Sequence, residues 1–317
     1  MAITAHNNII IIQGPTASGK TSLSVSVAKI LQNVVVSEIV SADSRQVYKY
    51  MDIGTAKPTK EEMQSIPHHL VDILDPSDVY SAGRFRTDAT TIINLLHKEK
   101  KLPIVVGGTG LYISALCEGL FDDGSYDYSE IRKALTERLS IVGIDELYKE
   151  LTVIDNISAE KYKDKNPRRV LRALEYYHFH RKPLSSAHIE YQTNNDFNTL
   201  YFAIEMERSD LYDRINTRCT HMWDLGLLHE TVKLLDMGFS TELNSLNTVG
   251  YKEAIKVINH ELSIDEAKGL MAQNTRRYAK RQLTWLRNRQ INYIWLKGTQ
   301  DDMVETIMTT LQEKYVM

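Results

Sequence analysis

Short apolar runs rich in β-branched residues alternate along the chain with segments of helical periodicity. The runs 8–13, 34–40 and 104–106 each predict a buried strand. Apolar residues recur at helical spacing over 23–31, directly after the first run. Alternating strands and helices predict an α/β fold, with a parallel sheet and helices on its faces. Because ligands of such sheets bind beyond the carboxyl ends of the strands, we expect the functional site there.

The middle of the chain has a different pattern. Helical spacing continues over 131–139 and 170–174 without an intervening strand pattern. A polar stretch at 191–198 indicates a linker, and the run 200–204 predicts a return to the sheet. We therefore predict a core formed by residues 1–121 and 197–317 and a helical insertion over 122–196.

The composition is that of a soluble globular protein. Of the 317 residues, 43% are hydrophobic and 25% are charged. No stretch approaches the roughly 18 apolar residues that a membrane helix needs, so we expect no membrane partner. The N-terminal residues lack the layout of a signal peptide. Two cysteines, Cys117 and Cys219, provide neither a disulfide framework nor a zinc site, so we expect a cytoplasmic protein.

The charge is unevenly distributed, although its total is only -3. Residues 118–160 contain 4 basic and 11 acidic residues, whereas residues 161–182 contain 8 basic and 2 acidic residues. Residues 267–300 contain 8 basic residues and no acidic residue. The acidic total argues against a nucleic-acid partner, but two basic blocks in a net-acidic chain favour one.

A glycine-rich loop follows the first predicted strand and opens the first predicted helix. It fits the pattern GxxxxGK[ST] with Gly14, Pro15, Thr16, Ala17, Ser18, Gly19, Lys20 and Thr21. Glycines allow several backbone N–H groups to face one anion, and the helix N-terminus adds its positive end. Lys20 supplies a point charge and Thr21 an oxygen for Mg²⁺. The loop predicts a phosphate or diphosphate site, without indicating whose phosphate it binds.

Two other strand ends carry polar or glycine-rich sequences. Asp43 closes the second run, where a carboxylate is either a general base or a helix N-cap. The sequence 107–110, Gly-Gly-Thr-Gly, ends the third run. Such a turn alone more often reflects tight packing. Beside the first loop it also indicates close approach to a bound group, with Thr109 as a hydroxyl contact.

Clusters of basic residues follow later in the chain. Arg208, Arg214 and Arg218 either clamp a leaving diphosphate or form a solvated face. A helix predicted to begin at Pro167 carries a second cluster. Its basic residues are Arg168, Arg169 and Arg172.

A third cluster lies within 274–287. Spacings of 3, 4 and 7 residues place Arg277, Lys280, Arg281 and Thr284 on one helical face, which is typical of nucleic-acid backbone binding. The pair His68–His69 has no partner at metal-ligand spacing, and we interpret it as structural.

Together these motifs resemble the tRNA dimethylallyltransferases, also called tRNA isopentenyltransferases. The resemblance spans nearly the whole chain. It rests on GPTASGKT (14–21), SADSRQVYKYMDIGTAKP (41–58), GGTGLYISAL (107–116), NPRRVLRALE (166–175), the arginines of 208–218, VGYKEA (249–254) and TRRYAKRQLTWLR (275–287). It implies a P-loop NTPase-like core and transfer of a dimethylallyl group from dimethylallyl diphosphate to N6 of adenosine 37 in tRNA, with Mg²⁺. It also implies an ATP-binding type of loop in a monomeric protein.

The resemblance assigns roles to individual residues. The loop 14–21 is expected to hold the diphosphate, with Lys20, Arg208 and Arg214 stabilising it as it leaves and Thr21 near Mg²⁺. Asp43 is expected to take a proton from the adenine amine. Contacts with tRNA are expected from Asp43, Ser44, Arg45, Gln46, Thr109, Arg168, Arg169, Arg172, Arg277, Lys280 and Arg281.

The sequence departs from the family pattern at a few positions. It has Asn247, Lys252 and Glu253 around the VGY motif, where many members have arginine or glutamine, and Arg168 where glutamine is usual. Two alternatives stay open. One is an adenylate isopentenyltransferase, which would need neither the insertion nor the basic helix. The other is a P-loop small-molecule kinase or non-catalytic binder, which leaves both basic blocks unexplained.

Overall fold

The computed structural model describes residues 5, 7–119, 126–190 and 197–315. Its backbone contacts divide the chain into two compact units, one formed by Met1–Gly119 with Asn195–Met317 and the other by Leu120–Asn194. The boundaries expected from the sequence, 122 and 196, each lie two residues further along the chain. The two units are described separately below.

A parallel six-stranded sheet forms the centre of the larger unit. Its strands are β1 (Asn8–Gln13), β2 (Ser37–Ser41), β3 (His68–His69), β4 (Leu102–Gly107), β5 (Asn198–Ile204) and β6 (Ile294–Leu296). Their order is β3-β2-β4-β1-β5-β6, and each described pairing is parallel. β1, β2 and β4 are buried along their whole length, as their apolar sequences predict. The predicted α/β class is confirmed.

Helices flank the sheet and build the smaller unit. They are α1 (Lys20–Leu31), α2 (Lys60–Met63), α3 (Ala82–Lys98), α4 (Gly110–Cys117), α5 (Ser129–Ile154), α6 (Asn156–Lys161), α7 (Pro167–His180), α8 (Leu184–Glu190), α9 (Arg208–Asp224), α10 (Leu227–Asp236), α11 (Tyr251–Ile258), α12 (Ile264–Arg287) and α13 (Gln300–Tyr315). On one face of the sheet, α1 and α13 bury residues such as Leu23, Val27 and Ile307 in a core shared with β1, β4 and β5. Within the described residues, no helix combines the length and the apolar character that crossing a membrane requires.

The smaller unit is helical, as the sequence predicts. Its core is formed by residues such as Leu135, Leu147, Val170 and Leu174. Gly143 has φ 77° and ψ 172°, so α5 consists of two helical segments joined at this residue. At the start of α7, the Asn166 side chain accepts hydrogen bonds from the first backbone N–H groups, which confirms a helix that begins at Pro167.

The second strand begins later than its sequence predicts. The run 34–40 is apolar throughout, but the N–H groups of Val34 and Val35 both donate to the Leu31 carbonyl at the end of α1. β2 therefore starts at Ser37, and the side chains of Val34 and Val36 are exposed. The short strands β3 and β6 at the two sheet edges were not predicted, because two or three residues carry no detectable periodicity.

Candidate active site

A cavity of about 490 Å³ lies in the larger unit at the carboxyl ends of β1, β2 and β4. These are the three strand ends that carry the distinctive polar and glycine-rich sequences. Helices α9 and α12 complete the wall. The polar residues around the cavity include Thr16, Ser18, Lys20, Thr21, Asp43, Gln46, Arg214, Arg218, Tyr278 and Gln282.

The loop between β1 and α1 is curled so that it opens into this cavity. Ala17 and Gly19 have positive φ values of 65° and 86°, and Gly19 caps α1. A Cβ atom at Gly14 would lie 2.8 Å from Ser18 Oγ and 3.2 Å from Ile204 Cβ, so this turn has no room for a side chain. Ser18 Oγ is buried and has no hydrogen-bond partner within the described residues. The loop is therefore shaped to surround a polar ligand.

Lys20 is the first residue of α1 and its side chain folds back over the loop. Its Nζ donates to the Pro15 carbonyl at 2.6 Å. Burial lowers the pKa of Lys20 to about 8, while the nearby Asp43 carboxylate opposes this shift and Arg218 adds to it. A bound anion would favour the charged form, so the ammonium group is suited to neutralising a phosphate.

No helix begins directly after Asp43, so the helix N-cap that the sequence left open is not formed, and the carboxylate caps a turn instead. Its Oδ1 accepts hydrogen bonds from the backbone N–H groups of Arg45 at 2.8 Å and Gln46 at 3.3 Å, as a capping carboxylate does. Its Oδ2 makes no hydrogen bond in the part of the chain that the structure describes, and the residue lines the cavity. One oxygen thus orders the turn, and the other is available to a proton donor.

Gly107, Gly108 and Gly110 pack closely against other parts of the protein, which leave no room for a Cβ atom. A Cβ atom at Gly107 would overlap the Ala42 carbonyl, and one at Gly108 would overlap the Gln282 side chain. A Cβ atom at Gly110 would overlap the Trp285 ring. The tight-packing interpretation therefore applies to these glycines. Thr109 Oγ1 accepts from the backbone N–H of Ser44 at 3.2 Å and so joins the two strand ends.

Helix α12 contributes two cavity residues that the sequence analysis did not select. Gln282 Oε1 accepts from the Thr16 N–H at 2.8 Å, and its Nε2 donates to the Gly108 carbonyl at 3.0 Å. Gln282 thus connects the phosphate loop with the β4 end. Burial, with a smaller contribution from Asp43, raises the pKa of Tyr278 to about 12, so its hydroxyl stays protonated.

The three arginines of α9 differ in position. Arg218 donates through Nη2 to Thr16 Oγ1, and its buried Nε has no partner among the described residues. Arg214 also lines the cavity. Arg208, however, is exposed, lies 5.0 Å from the Tyr212 ring centre and is not among the cavity-lining residues. It precedes Arg214 by six residues, which on a helix is about 120° away from that face. The structure does not bring Arg208 to the expected diphosphate site.

The expected nucleic-acid contacts of the larger unit lie on α12 and in the turn after β2. Arg277, Lys280 and Arg281 are exposed on α12 and form no ion pair in the described part of the chain. Arg45 Nη1 donates to the Asn244 carbonyl at 2.6 Å. Gln46 Nε2 donates to the Ala56 carbonyl at 2.9 Å. On α12, the exposed basic residues form a face on the side of the helix opposite the buried Gln282.

The basic cluster of the smaller unit lies on α7. Arg168 and Arg169 are exposed, and Arg169 Nη1 lies 3.6 Å from Asp164 Oδ2. Arg172 lies 4.9 Å from the centre of the Tyr128 ring and 3.7 Å from the buried Glu175 carboxylate. These side chains present a cationic surface within that unit.

The histidine pair after Pro67 divides between a structural contact and the cavity. His69 Nε2 lies 2.6 Å from Glu38 Oε2. His68 Nδ1 lies 2.8 Å from the Ile66 carbonyl, and the residue lines the cavity, with no partner for its buried Nε2 among the described residues. No group of three His, Cys, Asp or Glu side chains that could hold a metal ion occurs in the described ranges. Glu253 accepts from the Gly250 N–H and from Asn274 Nδ2, whereas Lys252 and Asn247 are exposed. The departure at Glu253 therefore stabilises the start of α11.

Comparison with known proteins identifies two matching family models. The model described as IPP transferase matches residues 46–289, and the model described as isopentenyl transferase matches residues 7–76. Among curated proteins, the tRNA dimethylallyltransferase of Acetivibrio thermocellus is 42% identical over 308 residues, which is 96% of each chain. That of Staphylococcus saprophyticus is 40% identical over 96% of this chain and 97% of its own.

Solved structures give the same result. A tRNA isopentenylpyrophosphate transferase from Staphylococcus epidermidis aligns with a TM-score of 0.69 and 40% identity, covering 96% of this chain and 99% of its own. A eukaryotic dimethylallyltransferase acting on tRNA aligns with a TM-score of 0.77 and 28% identity, covering 98% of this chain and 76% of its own. Since the IPP transferase model matches more than half of the sequence and the relatives match nearly all of it, the chain belongs to the IPP transferase family, the tRNA dimethylallyltransferases that its motifs resemble.

Proposed function

We propose that this protein transfers a dimethylallyl group from dimethylallyl diphosphate to N6 of adenosine 37 in tRNAs that read codons beginning with U, forming N6-isopentenyladenosine and diphosphate. The main support is that Asp43, whose Oδ2 has no hydrogen-bond partner among the described residues, lines the same cavity as Lys20 and the phosphate loop. A general base and an anion site are thereby combined. The names of the relatives, tRNA dimethylallyltransferases at about 40% identity, support the same activity.

The cavity residues suit the charges that change in this reaction. The bond between N6 and the allylic carbon forms as the bond between that carbon and the diphosphate oxygen breaks. Loop N–H groups, Lys20, Arg214 and Arg218 stabilise the departing diphosphate. An exocyclic adenine amine is a poor nucleophile because its lone pair is delocalised, so Asp43 Oδ2 takes the N6 proton. The adenine has to leave the anticodon-loop stack to reach this oxygen.

Oxygen atoms in the cavity also fit a divalent cation. The hard oxygen groups near the loop include Thr21, the buried Ser18 hydroxyl and the Asp43 carboxylate, and Mg²⁺ prefers such ligands. We propose that Thr21 lies beside Mg²⁺ when the diphosphate is bound. The ion would supply positive charge to the leaving diphosphate.

Two surfaces are proposed to bind tRNA. In the larger unit these are the basic face of α12 and the turn that contains Ser44, Arg45 and Gln46, next to Thr109. In the smaller unit, residues Arg168, Arg169 and Arg172 of α7 provide the contacts. We also propose that the protein acts as a monomer in the cytoplasm.

Removing charge from α12 is expected to weaken RNA binding and to reduce its salt dependence. In a variant with Arg277→Gln, Lys280→Gln and Arg281→Gln, the slope of log K against log salt should become shallower by about two units, because fewer counterions are released. A titration of an anticodon stem-loop at several salt concentrations measures this slope. A control with Lys98→Gln, Lys100→Gln and Lys314→Gln removes three exposed charges from α3, the turn that follows it and α13. Equal slopes in the two variants would exclude the basic face of α12 as an RNA surface.

The proposed activity is tested with labelled dimethylallyl diphosphate and an anticodon stem-loop that contains adenosines at positions 36 and 37. We expect label in the RNA on N6 of position 37, and none when position 37 is a guanosine. Efficient transfer to free AMP without transfer to RNA would indicate an adenylate isopentenyltransferase instead. Phosphoryl transfer from ATP to a small molecule would indicate a kinase.

A further inference from the structure

A carboxylate outside the cavity binds three consecutive backbone N–H groups. Glu230, on α10, accepts through Oε2 from the N–H groups of Asp52 at 3.0 Å and Ile53 at 2.8 Å. Its Oε1 accepts from the Gly54 N–H at 3.0 Å and from the Tyr251 hydroxyl at 2.6 Å. Four donors on one carboxylate fix the backbone of residues 52–54 relative to α10 and α11.

The partners of Glu230 are themselves held tightly. Tyr251 is fully buried, and burial together with the neighbouring Glu230 raises the pKa of its hydroxyl, which therefore remains a donor. A Cβ atom at Gly54 would overlap the Tyr251 ring, so the backbone here lies directly against the aromatic side chain. The contact leaves the loop little freedom to shift without breaking several of these hydrogen bonds.

This loop continues directly into the cavity wall. Thr55 and Ala56 follow Gly54 and line the cavity. The Ala56 carbonyl accepts from Gln46 Nε2 at 2.9 Å, and the Gln46 N–H donates to Asp43 Oδ1 at 3.3 Å. Hydrogen bonds, together with the backbone of residues 54–56 and the Gln46 side chain, thus connect Glu230 with Asp43.

We propose that Glu230 is a positioning residue for the transfer reaction, which holds loop 52–56 so that Gln46 fixes the orientation of the Asp43 carboxylate. This inference rests on the proposed function, because it assigns Glu230 to the base of that reaction. Glu230 is not among the cavity-lining residues. Displacing a reacting group by about 1 Å can cost 100-fold in rate, so a remote support of this kind has a kinetic effect.

The variant Glu230→Gln tests this role. The amide keeps one acceptor oxygen but directs an NH₂ group at backbone donors. We expect kcat at saturating RNA and dimethylallyl diphosphate to fall by about 10- to 100-fold, with both KM values within about threefold. We also expect faster amide hydrogen exchange in residues 52–54. Tyr251→Phe removes only one of the four donors and should give a smaller loss of kcat.

A matched control separates positioning from general destabilisation. Asp155 in the smaller unit is a buried carboxylate that likewise accepts backbone N–H groups, from Ser158 at 3.0 Å and Ser185 at 2.9 Å. Asp155→Asn should lower the thermal stability but leave kcat at saturating RNA within about threefold.

A double-variant cycle tests the proposed route. Gln46→Ala removes the Ala56 contact, so Glu230→Gln should reduce kcat much less in that background than in the wild type. Effects of the two substitutions that simply multiply would contradict the route through Gln46.

If the wild type transfers the group but Glu230→Gln keeps its kcat while residues 52–54 exchange faster, the positioning role is wrong. The proposed function itself is excluded only if the wild type does not modify RNA. If Glu230→Gln does not fold, the kcat of Tyr251→Phe is the test, and a wild-type kcat in that variant overturns the proposal.

Discussion

Replacing Asp43 with asparagine is expected to lower the turnover of prenyl transfer by about 100- to 10,000-fold while RNA affinity changes only a few-fold. Asparagine keeps an acceptor oxygen for the N–H groups of Arg45 and Gln46, so the turn after β2 remains capped. It has no basic oxygen to take the N6 proton. Single-turnover kinetics with labelled dimethylallyl diphosphate, together with a titration of the anticodon stem-loop, measure the two quantities.

The variant Asp43→Ala provides the comparison that separates base from cap. If Asp43 acts as the base, both variants lose turnover to a similar extent, and only the alanine variant also loses free energy of unfolding, by about 1 kcal/mol for the lost hydrogen bonds to the turn. If asparagine retained turnover within a few-fold and alanine did not, capping would be the only role of this residue.

Much of the site could be predicted because its residues follow strand ends. A parallel sheet brings the carboxyl ends of β1, β2 and β4 to one edge, so the loop 14–21, Asp43 and Gly107 meet although they are far apart in sequence. The pattern of strands and helices was sufficient to predict this convergence. The predicted start of β2 at residue 34 was wrong, because apolar β-branched residues also suit the turn after a helix, where Val34 and Val35 lie.

Residues that reach the site from distant helices were harder to predict. Gln282 lies on the buried face of α12 among Met271, Thr275, Ala279 and Leu286. A glutamine on a mostly apolar face is a detectable signal, because its amide requires partners when buried. The partners themselves, in the phosphate loop and at Gly108, are set by tertiary packing. Arg218 enters the cavity and Arg208 does not, because the two residues lie on different sides of α9. The clustering of arginines in the sequence does not by itself distinguish them.

Replacing Lys20 with methionine is expected to slow the transfer step by about 100- to 1,000-fold and to weaken pyrophosphate binding, because a charge on the leaving group is no longer neutralised. Isothermal titration with inorganic pyrophosphate and single-turnover kinetics measure the two effects. Lys29→Met, on the same helix, is the matched control. Its ammonium is exposed and donates to Gln64 Oε1 at 2.7 Å, so we expect both quantities to stay within about threefold.

The low pKa of Lys20, about 8, adds a pH dependence that identifies its role. Well below pH 8 the ammonium is mostly charged before the ligand arrives, so Lys20 takes up almost no proton on binding. As pH rises from 7 to 9 the free protein loses this proton, and pyrophosphate binding should weaken relative to Lys20→Met and take up a proton. Titrations in buffers of different ionisation enthalpy detect that uptake. If pyrophosphate binding has parallel pH profiles in the wild type and in Lys20→Met, the ammonium group does not contact the diphosphate. The anion would then be held by the loop N–H groups and the α9 arginines.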